Sequence, residues 1–259
     1  MPTSRLALGA RGGGERLALR LDRPAGTPRV AWPLLYLHGF GSRQSGEKAS
    51  FFRARALASG AVFCSIDFRG HGDSDGELGA LTLTRNLEDL ARAQAYLADR
   101  GHPRAVLVGS SLGGATALAY AHAQPERVAA CLLIAPAVGM RRELERWAGP
   151  DRLERWRREG SIRFVSELVE VDLGWSFVED LRNYDFLEVA RGLATPALVL
   201  QGRNDTSVSY LDVLDFVAAT PAGRVDLVLY GDGDHRLNDR KEELWQRMLE
   251  FLRRRGLID

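Results

Sequence analysis

The chain has 259 residues, long enough to bury a substantial core in one large α/β domain or two small ones. Its 35 Lys and Arg residues against 34 Asp and Glu residues leave a formal net charge of +1, which argues neither for nucleic acid nor for an anionic surface as target, and no nucleic-acid partner is expected. All but two of the basic residues are arginine, the exceptions being Lys48 and Lys241, and a codon bias of the source genome is the simplest reason.

Residues 5–8 and 15–21 alternate around Gly12-Gly13-Gly14, the pattern of an antiparallel edge hairpin. Residues 24–33 read as loop. Leu34-Leu35-Tyr36-Leu37 is a short central strand that runs into His38-Gly39-Phe40-Gly41. Helical spacing covers Glu47 to Ser59, and Val62 to Ile66 is another strand. It ends at Asp67-Phe68-Arg69-Gly70-His71-Gly72-Asp73-Ser74-Asp75-Gly76, where Gly and Asp serve a reversal of the chain. Leu83 to Leu97 is an amphipathic helix. Ala105-Val106-Leu107-Val108 is a buried strand, Ala115 to Ala121 a helix, and Val128 to Ile134 a strand. Strands and helices alternating at this spacing, with near-continuous apolar strands, predict an α/β fold with a mostly parallel sheet covered on both faces.

Residues 139–190 break the pattern. Arg141-Arg142-Glu143-Leu144-Glu145-Arg146 and Leu153-Glu154-Arg155-Trp156-Arg157-Arg158-Glu159 mix charge signs at helical spacing, which marks solvated helix faces. A short hairpin is expected within Ile162 to Leu173 and a helix near Phe177 to Tyr184. The βα pattern resumes with strand Ala197-Leu198-Val199-Leu200, helix 209–219, strand Val225 to Tyr230 and a last helix from Asp239 to Arg255. We therefore expect a single domain over residues 1–259, with 139–190 inserted as a lid over the sheet.

The chemistry centres on Gly109-Ser110-Ser111-Leu112-Gly113-Gly114, a G-x-S-x-G pattern between a strand and a helix. Such a turn is so sharp that the serine sits in strained backbone with its hydroxyl exposed at the sheet edge. A Cβ at Gly109 or Gly113 would collide with neighbouring elements. Ser111 is the candidate nucleophile, and the Leu112 N–H opens a helix where it can face a developing oxyanion. Phe40, in the loop after the first central strand, carries the second candidate donor.

A serine nucleophile needs a base and a group to orient that base. Asp205 follows the strand ending at Leu200, and His235 follows the one ending at Tyr230, so both belong to the same sheet edge as Ser111. Asp232 and Asp234 are too close in sequence to His235 to hold its ring from behind. His38 reads as a structural residue of the oxyanion loop, His71 lies in a turn, and His102 and His122 lie at helix ends.

Together His38-Gly39-Phe40-Gly41, Arg69 to Gly76, Gly109 to Gly114, Gly202-Arg203-Asn204-Asp205 and Gly233-Asp234-His235-Arg236 resemble the α/β-hydrolase superfamily over nearly the full chain. Gly46-Glu47-Lys48-Ala49, the elbow itself and Gly233-Asp234-His235-Arg236-Leu237 are most similar to the branch of small serine hydrolases that includes the mitochondrial palmitoyl-protein thioesterase and acyl-glucuronide esterase. Ala115 departs from the aromatic or bulky residue usual in that branch after the double glycine, a difference that bears on acyl specificity.

The expected reaction is hydrolysis of a small-molecule carboxylic ester or thioester through an acyl-enzyme, without cofactor or metal. A peptidase or acyltransferase on the same residues is the alternative, and a non-catalytic binding protein a remoter one. Serine rather than aspartate at the elbow argues against dehalogenase and epoxide-hydrolase chemistry. An acyl pocket is concave and largely apolar. Phe40 and the inserted aromatics Trp147, Trp156, Trp175 and Phe177 are the candidates to line it. Cys64 and Cys131 sit in apolar runs as expected free thiols. The first residues lack the apolar core of a secretion signal, and no run approaches the ~20 apolar residues of a membrane span. A cytoplasmic protein is expected.

Overall fold

The computed structural model describes residues 3–9, 14–166 and 169–259. In chain order the first elements are β1 (Thr3–Leu8), β2 (Leu17–Asp22), β3 (Leu34–Leu37), α1 (Glu47–Ala58), β4 (Phe63–Ile66), α2 (Leu83–Ala98), β5 (Ala105–Ser110), α3 (Leu112–Ala123) and β6 (Val128–Ile134). Between β6 and the next strand of the main sheet come α4 (Met140–Glu159), β7 (Ser161–Val165), β8 (Glu170–Gly174), α5 (Trp175–Leu181) and α6 (Phe186–Arg191). The chain then returns through β9 (Ala197–Gly202), α7 (Tyr210–Ala219), β10 (Val225–Tyr230) and α8 (Lys241–Arg254).

Eight strands form one sheet in the order β1-β2-β4-β3-β5-β6-β9-β10. The β1–β2 and β2–β4 pairs are antiparallel, and every pair from β4 through β10 is parallel. β1 and β2 are the expected edge hairpin, while Gly12 and Gly13 of its turn lie outside the described residues. Side chains alternate between two cores. Leu35 and Leu37 of β3 join Leu83, Leu90 and Leu97 of α2 and the alanines of α3 on one face. Leu34 and Tyr36 join Phe52 of α1 and Trp245, Met248 and Phe251 of α8 on the other. This two-residue alternation is what lets one short strand serve both layers.

Three helices begin on a side-chain cap: Thr82 accepts from Arg85 N–H, Asp185 from Leu187 N–H and Ser209 from Leu211 N–H. α3 differs. Its N-cap is Ser111, which supplies no side-chain cap, and ten successive residues from Leu112 to Ala121 are buried. A helix of glycines and alanines can lie that deep because small side chains let backbones approach closely.

The inserted segment shows two local irregularities. Gly149 takes φ 66°, ψ 169° ahead of Pro150, so α4 is two helical pieces joined at a kink. The helix expected near Phe177 to Tyr184 is α5, which ends at Leu181, and a second short helix, α6, follows it because Asp185 caps a fresh start. β7 and β8 form the expected hairpin, with Ile162 opposite Leu173. The segment is moored at several points. Arg142 pairs with Asp212 of α7 at 2.7 Å, and Asp180 of α5 accepts from Thr84 N–H at 3.0 Å and Thr84 Oγ1 at 2.5 Å on α2.

Candidate active site

β5, β9 and β10 run parallel, so the loops leaving their carboxyl ends emerge on one edge of the sheet. Ser111 leaves β5 with φ 52°, ψ −117°, a conformation costly for a residue with a Cβ. It is pinned there from both sides. Ser111 N–H donates to Ile134 O at 2.9 Å, and Ser111 O accepts from Gly114, Ala115 and Ala137 N–H at 2.9, 3.0 and 3.1 Å. The glycine requirement is steric. A Cβ on Gly109 would sit 2.6 Å from Gly113 O, and one on Gly113 would sit 2.3 Å from Leu37 O.

Asp205 and His235 meet: the His235 imidazole lies 2.8 Å from Asp205 Oδ2 through Nδ1. The carboxylate is buried and fully engaged. Oδ2 also accepts from Gln201 Nε2 at 3.0 Å, while Oδ1 accepts from Ser207 and Val208 N–H at 2.8 Å each. Burial alone would push this carboxyl up, but the bonds and charge of His235 and the two amides outweigh it, and the net direction is down. Asp205 is thus held as a carboxylate that orients the ring. The competing carboxylates do other work. Asp234 Oδ1 accepts from Arg236 N–H at 3.0 Å and Leu237 N–H at 2.7 Å, closing the turn that carries His235. Asp232 pairs with Arg240 at 3.1 Å on the surface.

The loop His38–Gly41 lies against the elbow, since a Cβ on Gly39 would come within 3.3 Å of Ser111 Cβ. Two histidines hold it from behind. His38 is fully buried; its Nε2 accepts from Phe68 N–H at 3.1 Å, which assigns the proton to Nδ1, 2.8 Å from Gly39 O. His71 Nε2 accepts from Gly41 N–H at 3.2 Å. Burial lowers both rings to about 4, and the neighbouring His38 further disfavours charge on His71, so both are neutral supports. Among the described residues no protein acceptor engages the Phe40 or Leu112 N–H.

The aromatics divide. Trp156 is a correction to the expected lining: it has no exposed surface, and its Nε1 donates to Leu173 O at 2.8 Å, so it ties α4 to β8. Phe177 is likewise buried, in the core under the insertion. Trp147 is 39% exposed and lies 5.3 Å from Phe164, which in turn packs edge-on against Phe40 at 5.4 Å. Trp175 packs edge-on against Trp156 at 5.9 Å. Phe164 was not singled out in sequence, although its place on a hairpin strand among charges was the available signal. Cys64 and Cys131 are free and buried, and burial pushes both thiols up, Cys131 to about 12. Among the described residues no cluster of His, Cys, Asp and Glu is arranged to hold a metal, and no helix is long and apolar enough to cross a membrane.

Known proteins resemble this chain in sequence and in fold. Residues 34–257 match the profile of the Alpha/beta hydrolase family. The mitochondrial palmitoyl-protein thioesterase ABHD10 of Mus musculus is 27% identical over 224 residues, 81% of this chain and 70% of that protein. A structure described as a hydrolase of Agrobacterium vitis S4 superposes with a TM-score of 0.83 at 29% identity, covering 96% of this chain and 98% of the other. The mouse alpha/beta hydrolase domain-containing protein 10 superposes with a TM-score of 0.78 at 25% identity, covering 97% and 98%.

Proposed function

The chain belongs to the alpha/beta hydrolase family, and from that premise we propose that it cleaves carboxylic esters or thioesters with Ser111 as nucleophile, His235 as base and Asp205 as orienting acid. The observation that carries this reading is the pairing of Asp205 with His235 at 2.8 Å on the sheet edge where Ser111 leaves β5 in strained backbone. His235 takes the Ser111 proton as Oγ adds to the carbonyl carbon, and the carbonyl oxygen becomes an oxyanion received by Phe40 and Leu112 N–H. Collapse of the tetrahedral adduct expels the alcohol or thiol, which collects the proton from His235. Water then attacks the acyl-enzyme with His235 again as base and releases the acid. Asp205 stays ionised throughout and stabilises the imidazolium.

Similarity to relatives named palmitoyl-protein thioesterases supports a thioester with a long acyl group as the substrate of this chain. The inserted segment acts as the lid that selects among them, with Phe164 and Trp147 extending an apolar wall from Phe40. A fluorophosphonate probe tests the reading. The expected result is stoichiometric covalent label on Ser111, absent from Ser111→Ala. Absence of label from folded protein, or label elsewhere, would reject Ser111.

A further inference from the structure

Lys48 is placed against two general preferences. It sits at the second position of α1, where the positive end of the helix dipole disfavours a cation. It is also one of two lysines in a chain whose other basic residues are arginine. Both lysines converge on one junction. Lys48 Nζ donates to Arg236 O at 2.5 Å, and Lys241, the first residue of α8, pairs with Glu47 of α1. Asn238 Nδ2 adds a bond to Glu47 Oε2 at 2.9 Å. The N-termini of α1 and α8 are thereby clamped across the turn 233–237 that carries His235. A compact ammonium on a flexible stem suits one buried carbonyl, whereas the planar fork of arginine does not. The turn itself is under tension: Leu237 holds φ 48° and is fully buried.

We propose that Lys48 is a positioning residue for His235. By donating to the carbonyl of the next residue, Arg236, it fixes the backbone from which the imidazole extends to Asp205. The inference rests on the serine-hydrolase reading above. The groups facing the ammonium are Asp234 and Arg236 of the turn, Glu47 of α1 and Lys241 of α8. Burial lowers Lys48 to about 8, with Asp234 and Glu47 opposing and Arg236 and Lys241 assisting. Above that pH the amine still donates, but without the strengthening of a charged donor. Stability moves the other way. The unfolded lysine keeps its proton to higher pH than the folded one, so unfolding takes up protons between those two values and the fold gains stability as pH rises.

The test uses full-length wild type, Lys48→Met and Lys48→Gln, with p-nitrophenyl butyrate and a fluorophosphonate as probes. Displacing a catalytic group by about 1 Å can cost 10²-fold. For Lys48→Met we expect kcat to fall by about 10-fold with KM within about twofold, and phosphonylation of Ser111 to slow by the same factor. Thermal stability should fall only modestly, because Arg236 O loses one donor while a buried charge is removed, and the protein stays folded under assay conditions. Lys48→Gln, which keeps a donor, should lie between. Wild-type kcat should decline through pH 8 while the melting temperature does not, and Lys48→Met should lack that decline. Wild-type phosphonylation and turnover in Lys48→Met would overturn the positioning role alone. So would a loss of activity that merely tracks a loss of folded protein. Failure of the wild type to label at Ser111 would overturn the serine-hydrolase reading and this inference with it.

Discussion

The catalytic edge of the sheet and the inserted segment, residues 139–190, are held by opposite means. At the edge the geometry is fixed by many bonds on few groups: the Asp205 side chain is inaccessible and takes four donors, and Ser111 is bracketed by four backbone bonds. In the insertion most ion pairs are exposed. Arg141–Glu145, Arg157–Glu154 and Arg163–Glu170 all leave about half or more of each side chain in water, where such pairs contribute roughly 0–1 kcal/mol. A region built on the first plan tolerates little change without losing its geometry. A region built on the second can change its surface while a few anchors, such as Trp156 and Asp180, keep it in place. On the function proposed above, reaction and substrate choice are separated between the two.

The comparison breaks first at Ser111. Ser111→Ala should cut turnover by up to ~10⁶ while leaving the melting temperature near wild type or above it, since alanine keeps the backbone and removes only the hydroxyl. Substantial turnover by pure Ser111→Ala would end the division at once. Asp205→Asn comes next, at about 10⁴ in kcat, because an amide donor in place of an acceptor selects the wrong tautomer of His235. Asp234→Asn, which weakens only the turn, should cost far less, and Asp232→Asn almost nothing. Kinetics of the three amides would expose a wrong choice of carboxylate if the order were reversed.

Acid should distinguish the regions by stability. His38 and His71 are neutral in the fold, lowered to about 4 by burial, and regain their ordinary affinity for protons on unfolding. The unfolded chain therefore binds more protons below about pH 6.5, and stability falls as pH drops from there toward 4. Residues 139–190 contain no histidine to respond in this window. Melting temperatures from pH 7 to 4.5 should show the decline, and His71→Gln should shrink it. An unchanged slope in that variant would remove His71 from the account.

The smallest effect tests the insertion. Each methylene covered by an apolar wall is worth about 0.8 kcal/mol, or about fourfold in kcat/KM. Phe164→Ala or Trp147→Ala should flatten the increase of kcat/KM with acyl length and leave phosphonate labelling intact. Trp156→Ala should instead lower the melting point, as loss of a buried aromatic costs about 3–5 kcal/mol. If chain-length profiles stay unchanged in the first two, the acyl wall lies elsewhere.

What could be read in the sequence is what local chemistry dictates. Gly109 and Gly113 flank a serine because no Cβ fits there, and that constraint is visible without coordinates. The apolar runs of β5, β9 and β10 place Ser111, Asp205 and His235 at one edge because parallel strands in one sheet share a direction. The insertion was visible as a break in the βα rhythm. Tertiary structure alone decided which aromatics stay accessible. Trp147 and Trp156 are nine residues apart on a kinked helix with similar charged neighbours, yet one is exposed and the other sealed. The same holds for Lys48. Its place beside Glu47 has no meaning along the chain, because the carbonyl it meets, Arg236 O, is 188 residues away and arrives only when α1 and α8 pack on the same face of the sheet. Pairings of that kind depend on packing between layers, which no short-range pattern encodes.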